Sequence, residues 1–353
     1  MPTPFPPDSV PLLLDWYRIH RRDLPWRKDR DAYRVLVSEI MLQQTRAETV
    51  KPYFHRFMAA LPTVEALATA DETTLLKLWE GLGYYSRVRN LQAAARVIVE
   101  TYGGTVPADF DALLALPGVG RYTAGAVASI AYDIPVPAVD GNVLRVLARL
   151  MGDDTDVLSP AAKTAAEAAL APHVPTPGAG DFTQSLIELG ALICTPGATA
   201  GCEDCPLRLV CTAAREGRVG ELPVRIPKTR RRTETRTVLR VGYTDAAGVR
   251  LTAIRRRPNS GLLAGLYEFP CLAGHVDEAA VRNALTAWGL SVGDVCRLPD
   301  AKHLFSHIEW QMQGYAVTLT SSPLSTEDWL FVTEDALDTT YAIPSAYAAY
   351  RNI

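Results

Sequence analysis

The sequence predicts two regions of different class, all-α up to about residue 222 and α+β beyond it. Three observations carry this. Before residue 222, apolar residues recur at helical spacing between helix start and stop signals; after it, β-type runs alternate with turns; and a basic stretch marked by prolines stands between the two. The chain has 353 residues, 48% of them hydrophobic, which is more than one ordinary core requires.

Taken in order, Met1 to Trp16 holds prolines and acids where a secretion signal would have a basic and then an apolar segment. No uncharged apolar run is long enough to span a membrane. Ser9 ahead of Val10-Pro11-Leu12 and Asp31 ahead of Tyr33-Arg34-Val35-Leu36 read as helix starts, and Gly103-Gly104 after Val97-Ile98-Val99 as a stop. Leu116-Pro117-Gly118-Val119-Gly120-Arg121-Tyr122-Thr123-Ala124 joins two helical segments through a turn suited to glycine, and the N–H groups that open the second helix favour a phosphate. From Val224 to Arg240 there are seven basic residues and one acid, with Pro223 and Pro227 as breakers, so a basic linker is expected there. Thr237 to Val241 and Val249 to Ile254 read as strands joined by a turn at Asp245 to Gly248, and Asp277 as the cap of a helix ending at Trp288-Gly289-Leu290. The formal charge of -3 restricts any DNA contact to local patches.

Four of the six cysteines follow the spacing Cys194-x7-Cys202-x2-Cys205-x5-Cys211. Such a set holds zinc or a cubane iron–sulfur cluster, and spacing alone leaves both open. Without a secretion signal, two disulfides are disfavoured. Cys271 and Cys296 stand apart and read as buried free thiols. Two carboxylates stand in contrasting settings. Glu39 interrupts the apolar run Val35 to Leu42, where burial would raise its pKa and keep it protonated as a general acid. Asp140 precedes Gly141-Asn142-Val143-Leu144, where helix N-terminal N–H groups would hold it ionised. Two carboxyls with pKa values pushed apart divide the roles of acid and anion.

The hairpin, the downstream aspartate and the cysteines together resemble the helix-hairpin-helix DNA glycosylases. Leu24-Pro25-Trp26-Arg27, Ser38-Glu39-Ile40-Met41-Leu42-Gln43-Gln44-Thr45, Gly81-Leu82-Gly83-Tyr84-Tyr85, Val139-Asp140-Gly141-Asn142-Val143 and Phe305-Ser306-His307 are most similar to the MutY-type adenine glycosylases. The resemblance implies an all-α helix-hairpin-helix region with a [4Fe–4S] loop, followed by an α+β Nudix-like domain. It divides the chain into a catalytic region over 1–222 (a six-helix barrel-like part at about 28–135, an iron–sulfur part from 1–27 and 136–222), a basic linker over 223–234 and a lesion-recognition domain over 235–353. The family pattern usually has six residues between its first two cysteines, and this chain has seven.

The resemblance also implies the chemistry. Glu39 would protonate adenine at N7, Asp140 would stabilise the cationic sugar, and water would complete hydrolysis on a flipped-out nucleotide. Cys194, Cys202, Cys205 and Cys211 would hold one [4Fe–4S] cluster. Tyr122 stands where bifunctional relatives carry a Schiff-base lysine, so the enzyme would be monofunctional, with the phenol donating a hydrogen bond beside Asp140. Arg27, Leu42, Gln44, Thr45, Tyr84, Pro117, Gly118, Val119, Gly120 and Gln184 would contact DNA or the lesion, Gln44 and Tyr84 by invading the duplex. Gly265-Leu266-Tyr267-Glu268-Phe269-Pro270 resembles the approach to a Nudix box, but Val281 to Ala287 lacks the glutamates that would hold magnesium. Recognition of 8-oxoguanine through Phe305, Ser306 and His307 is the role left to that domain. The implied partner is double-stranded DNA with adenine opposite 8-oxoguanine or guanine. A cytoplasmic, bacterial-type monomer with no membrane association is expected. Two other readings fit the same residues: a thymine or uracil mismatch glycosylase, and a non-catalytic DNA-binding iron–sulfur protein.

Overall fold

The helical periodicity of the first part and the alternation of the second both appear in the computed structural model, which describes residues 3–226, 231–322, 329–351 and 353. The chain forms two compact units, Met1–Thr69 with Arg87–Pro227, and Ala70–Ser86 with Lys228–Ile353.

In the first unit Asp31 caps the Ala32–Leu42 helix by accepting from the Arg34 N–H, as its position predicts. Ser9 does not cap. It is the first residue of the Ser9–His20 helix, its hydroxyl buried without a hydrogen-bond partner among the described residues, and the start is set by its N–H bonding the Pro6 carbonyl. The Ser86–Tyr102 helix ends at Gly103 and Gly104, both in the left-handed region. The Ala32–Leu42 helix packs on Arg121–Tyr132, which is buried from Thr123 through Ile130. A Cβ at Gly125 would lie 2.4 Å from the Pro137 carbonyl oxygen, so only glycine permits this approach. A separate apolar cluster joins Leu13, Trp16 and Tyr17 to Val143, Leu147, Phe182 and Leu186, and Cys194, Cys205 and Cys211 border it. Each such side chain contributes about 1.5–3 kcal/mol on burial.

The second unit is built on a mixed sheet. Its strands are β1 (Arg232–Thr244), β2 (Arg250–Arg256), β3 (Tyr267–Glu268), β4 (Cys271–Ala273), β5 (Val292–Leu304), β6 (Ile308–Leu319) and β7 (Leu330–Thr333). The order is β3-β2-β1-β6-β5, with β4 on β1 and β7 on β2; β1 and β6 run parallel, with Val238 beside Gly314, and the other pairs are antiparallel. Alternation along β1 sends Val238 to a cluster with Ile254, Phe269, Trp310 and Tyr347, and Leu239 and Val241 to another with Val281, Leu285 and Val317. The second cluster seats the Glu278–Ala287 helix, capped by Asp277 through the Ala280 N–H. Asp245 closes the β1–β2 turn on the Ala247 and Val249 N–H groups.

Three expectations need correction. β1 begins at Arg232, inside the expected linker, because the Arg232 N–H pairs with the His307 carbonyl and starts the ladder; residues 227–230 of that linker lie outside the described residues. Cys296 is exposed on β5, and Cys271 is only partly buried. The helical region is not one continuous unit up to residue 222, since Ala70–Ser86 gathers with the second. Lys77 donates to the Leu337 and Tyr341 carbonyls, and Glu80 accepts from the Ile343 N–H and Arg351, partners that only the chain's end supplies.

Candidate active site

Glu39 lies on the buried face of the Ala32–Leu42 helix, 6% exposed. Burial pushes its carboxyl up to about 7; a hydrogen bond from Tyr122 opposes this, the nearby Asp140 charge adds to it, and Arg27 opposes it. The Tyr122 hydroxyl donates to Glu39 Oε2 at 2.6 Å. Sequence reasoning placed that hydroxyl beside Asp140; the geometry gives it to the glutamate. Burial beside two carboxyls drives the Tyr122 pKa well above 10, so it stays a neutral donor.

Asp140 is the N-cap of the Gly141–Met151 helix and accepts from the Asn142 N–H at 2.9 Å and the Val143 N–H at 2.8 Å, while Asn142 Nδ2 donates to its other oxygen at 2.9 Å. The three donors favour its ionised form, as the cap position predicts, while burial outweighs them and raises its pKa from the ordinary value. The two carboxyls still differ in kind: Asp140 has three N–H donors, a setting for an anion, and Glu39 has one phenol, a setting that favours an acid.

The hairpin lies between the Phe110–Leu114 and Arg121–Tyr132 helices. Gly118 has φ 72°, and a Cβ there would meet Asn90 Cβ at 2.4 Å. Gly118 and Gly120 are exposed and Pro117 is half-buried. The Val119 side chain is buried and its N–H closes on the Leu116 carbonyl. Gln44 is exposed in a left-handed conformation just past the Ala32–Leu42 helix, with Leu42 and Thr45 half-buried beside it. Gln184 is half-buried on the Ala179–Leu192 helix.

Several residues of the site escaped sequence reasoning. Glu188, fully buried, takes a paired hydrogen bond from the Arg22 guanidinium, a third from the Arg22 N–H and a fourth from Arg27, and with these partners its carboxyl is held down at about 2 despite burial. Arg27 is held by this ion pair at 3.0 Å. Arg87 donates to the Ile40, Met41 and Gln43 carbonyls and so closes the helix that carries Glu39. Arg145 bonds both Asn142 Oδ1 and the Cys194 carbonyl, tying the Asp140 cap to the first cysteine. Buried arginines look like surface charges in a sequence; only a glutamate inside Leu186-Ile187-Glu188-Leu189 hinted at one of these pairs.

Cys194, Cys202, Cys205 and Cys211 line one cavity with Val146, Leu150 and Leu207. Among the described residues no three His, Cys, Asp or Glu side chains gather tightly enough for a single metal ion. Burial pushes the Cys205 thiol up to about 12. The longer Cys194–Cys202 loop is gripped by Arg149, which donates to the Thr195 carbonyl at 2.8 Å, the Gly197 carbonyl at 2.7 Å and Cys194 Sγ at 3.3 Å. In the second unit Ser306 and His307 are exposed at the β5–β6 turn, Phe305 packs on Trp310, and the hydroxyls of Ser306 and Tyr84 lie 2.7 Å apart.

Residues 37–172 match the HhH-GPD superfamily of base excision DNA repair proteins, and residues 247–351 match the NUDIX domain. The adenine DNA glycosylase of Rattus norvegicus is 39% identical, the match covering 89% of this chain and 71% of the relative. The chain belongs to the MutY-type adenine DNA glycosylases. The human adenine DNA glycosylase is 35% identical, over 89% of this chain and 68% of its own length. A solved thermostable thymine-DNA glycosylase is similar over 59% of this chain and 96% of its own, with a TM-score of 0.53 and 32% identity. The adenine glycosylases are enzymes of base excision repair, and this chain carries their helical glycosylase domain followed by a Nudix-like one. The only acid on its Glu278–Ala287 helix is Glu278, which pairs with Arg282, so the magnesium-binding glutamates are missing there.

Proposed function

We propose that this enzyme removes adenine paired with 8-oxoguanine or guanine in duplex DNA by hydrolysis, without cutting the strand. The observation that carries the reading is Glu39, a buried carboxyl held near neutrality by desolvation and aligned by Tyr122, in the electrostatic field of Asp140. In its protonated form Glu39 delivers a proton to the leaving base at N7, and the anionic form of Asp140 stabilises the developing oxocarbenium charge. The phenol of Tyr122 stands at the hairpin position where an amine would be needed for an imine, which supports a monofunctional course. Target access requires the adenine to leave the stack, and Gln44 and Tyr84 would each intrude on the duplex as it does.

The four cysteines would hold a [4Fe–4S] cluster. The four thiols line one cavity, and the family likeness favours a cubane there over zinc. Bound there, it would cross-link the segments carrying residues 194–211. Phe305, Ser306 and His307 would read the base opposite the adenine from the β5–β6 turn. The test is release of free base from defined duplexes: adenine from A opposite 8-oxoguanine, with intact strands until alkali is added, is expected. Thymine release from a T:G duplex in its place, or no release at all, would overturn the reading.

A further inference from the structure

Tyr84 sits at the end of a turn in which three of four residues are left-handed: Gly81 at φ 98°, Gly83 at 71° and Tyr84 itself at 48°. A tyrosine holds such a conformation only where its surroundings over-determine it. Within the turn, Trp79 Nε1 donates to the Gly83 carbonyl at 3.1 Å and the Gly81 N–H bonds Tyr85 Oη at 3.3 Å. The residue just before the turn is Glu80. Its Oε1 accepts from the Ile343 N–H at 2.9 Å and Arg351 Nη1 at 2.7 Å, and its Oε2 pairs with Lys77 at 2.7 Å. Arg351 and Lys77 also both donate to the Leu337 carbonyl at the C-terminal end of the Glu334–Thr339 helix, where that helix's dipole favours cations. The side chains of Lys77, Glu80 and Arg351 are 17%, 16% and 24% exposed, so these charge-assisted bonds are shielded more than a surface pair is.

We propose that Glu80 and Arg351 are positioning residues for lesion discrimination: they fix the turn carrying Tyr84 to the body carrying Ser306, so that the intruding ring and the base reader meet the duplex at a set separation. The 2.7 Å contact between the two hydroxyls is the product of that clamp. Glu80 and Arg351 act through the turn. The inference rests on the reading of the second unit as the recognition domain, and its test separates the two.

Single-turnover excision is measured for adenine opposite 8-oxoguanine and opposite guanine in the full-length protein, and the ratio of rates is compared among Ser306→Ala, Glu80→Ala, Arg351→Met and the double variant Glu80→Ala with Ser306→Ala. Glu80→Ala and Arg351→Met are each expected to lower the ratio about fivefold to tenfold, the lower part of what one base-edge contact supplies. The double variant is expected to lose no more than Ser306→Ala alone, because both act on one contact; a general structural defect would add its loss instead. Glu80→Gln, which keeps the acceptor for Ile343 and removes the charge facing Arg351 and Lys77, should fall between, and it serves if the alanine variant does not fold. If Ser306→Ala erodes the ratio and Glu80 and Arg351 variants do not, or if the losses add, the clamp is overturned while the recognition reading stands. If Ser306→Ala leaves the ratio intact, the recognition reading falls and the clamp with it.

Discussion

Tyr122 Oη lies 2.6 Å from Glu39 Oε2, joining the second helix of the hairpin to the helix that presents the acid. Two forces act on that carboxyl in opposite directions. Burial and the neighbouring Asp140 charge favour the protonated form, and the phenol favours the carboxylate; the balance falls at about 7.

Glu39→Gln keeps the shape and removes the proton. Excision in a single turnover should slow by about 10²–10⁴-fold while lesion DNA still binds. The same variant should be more stable at neutral pH. A carboxyl with an ordinary value of 4.5 raised to about 7 in the fold binds more protons folded than unfolded between those pH values, so stability falls as pH rises through that window and the loss is complete above about 7. Removing it should recover roughly 2–4 kcal/mol at pH 8 and little at pH 4. Near-normal excision, or a stability gain that does not depend on pH, would remove Glu39 from the role.

Tyr122→Phe tests the other half of the balance. Without the phenol the pKa of Glu39 rises, so the alkaline limb of the excision rate, set by loss of the Glu39 proton, should move up by about one pH unit, given the typical strength of a hydrogen bond to a charged group. A limb that stays in place would mean that the phenol does not tune the acid.

Glu188→Ala strands two arginines in a buried site and should cost about 3–5 kcal/mol. The native carboxyl is held at about 2 against an ordinary 4.5, so its contribution is present above 4.5 and is lost as pH falls toward 2. Thermal unfolding followed from pH 6 to pH 3 should show the gap between native and variant narrowing with acid. A constant gap would assign the effect to packing alone.

Purified protein should be brown, with about four irons and four acid-labile sulfides per chain, as a cubane requires. Cys202→Ser should lose most of both and weaken DNA binding, since the cluster would cross-link the segments carrying residues 194–211. Zinc without sulfide is the contrary result.

Changing Ser306 and His307 together to alanine should erode the preference for 8-oxoguanine over guanine opposite adenine by roughly 1–3 kcal/mol per lost base-edge contact, with little change in salt dependence. Measuring the slope of affinity against salt beside the excision ratio checks both. Truncation after about Arg232 is a coarser probe, because it would also strip Lys77 and Glu80 of their partners.

Asp31, Asp140 and Asp277 were legible as caps because each bond reaches only two or three residues along the chain, and the β1–β2 turn was legible through Asp245 for the same reason. The alternation of β1 and the cysteine spacing were equally local. Glu39 could be suspected from its apolar neighbours, but its burial and its partner 83 residues away came from packing one helix on another. The local cap likewise favours an ionised Asp140, whereas desolvation by the surrounding fold raises its pKa. The Glu188 pair with Arg22 spans 166 positions, and Glu80 reaches Arg351 across 271. Hydrogen bonds within one turn are written in the order of residues; desolvation and charge pairing depend on which distant segments the closed fold brings together.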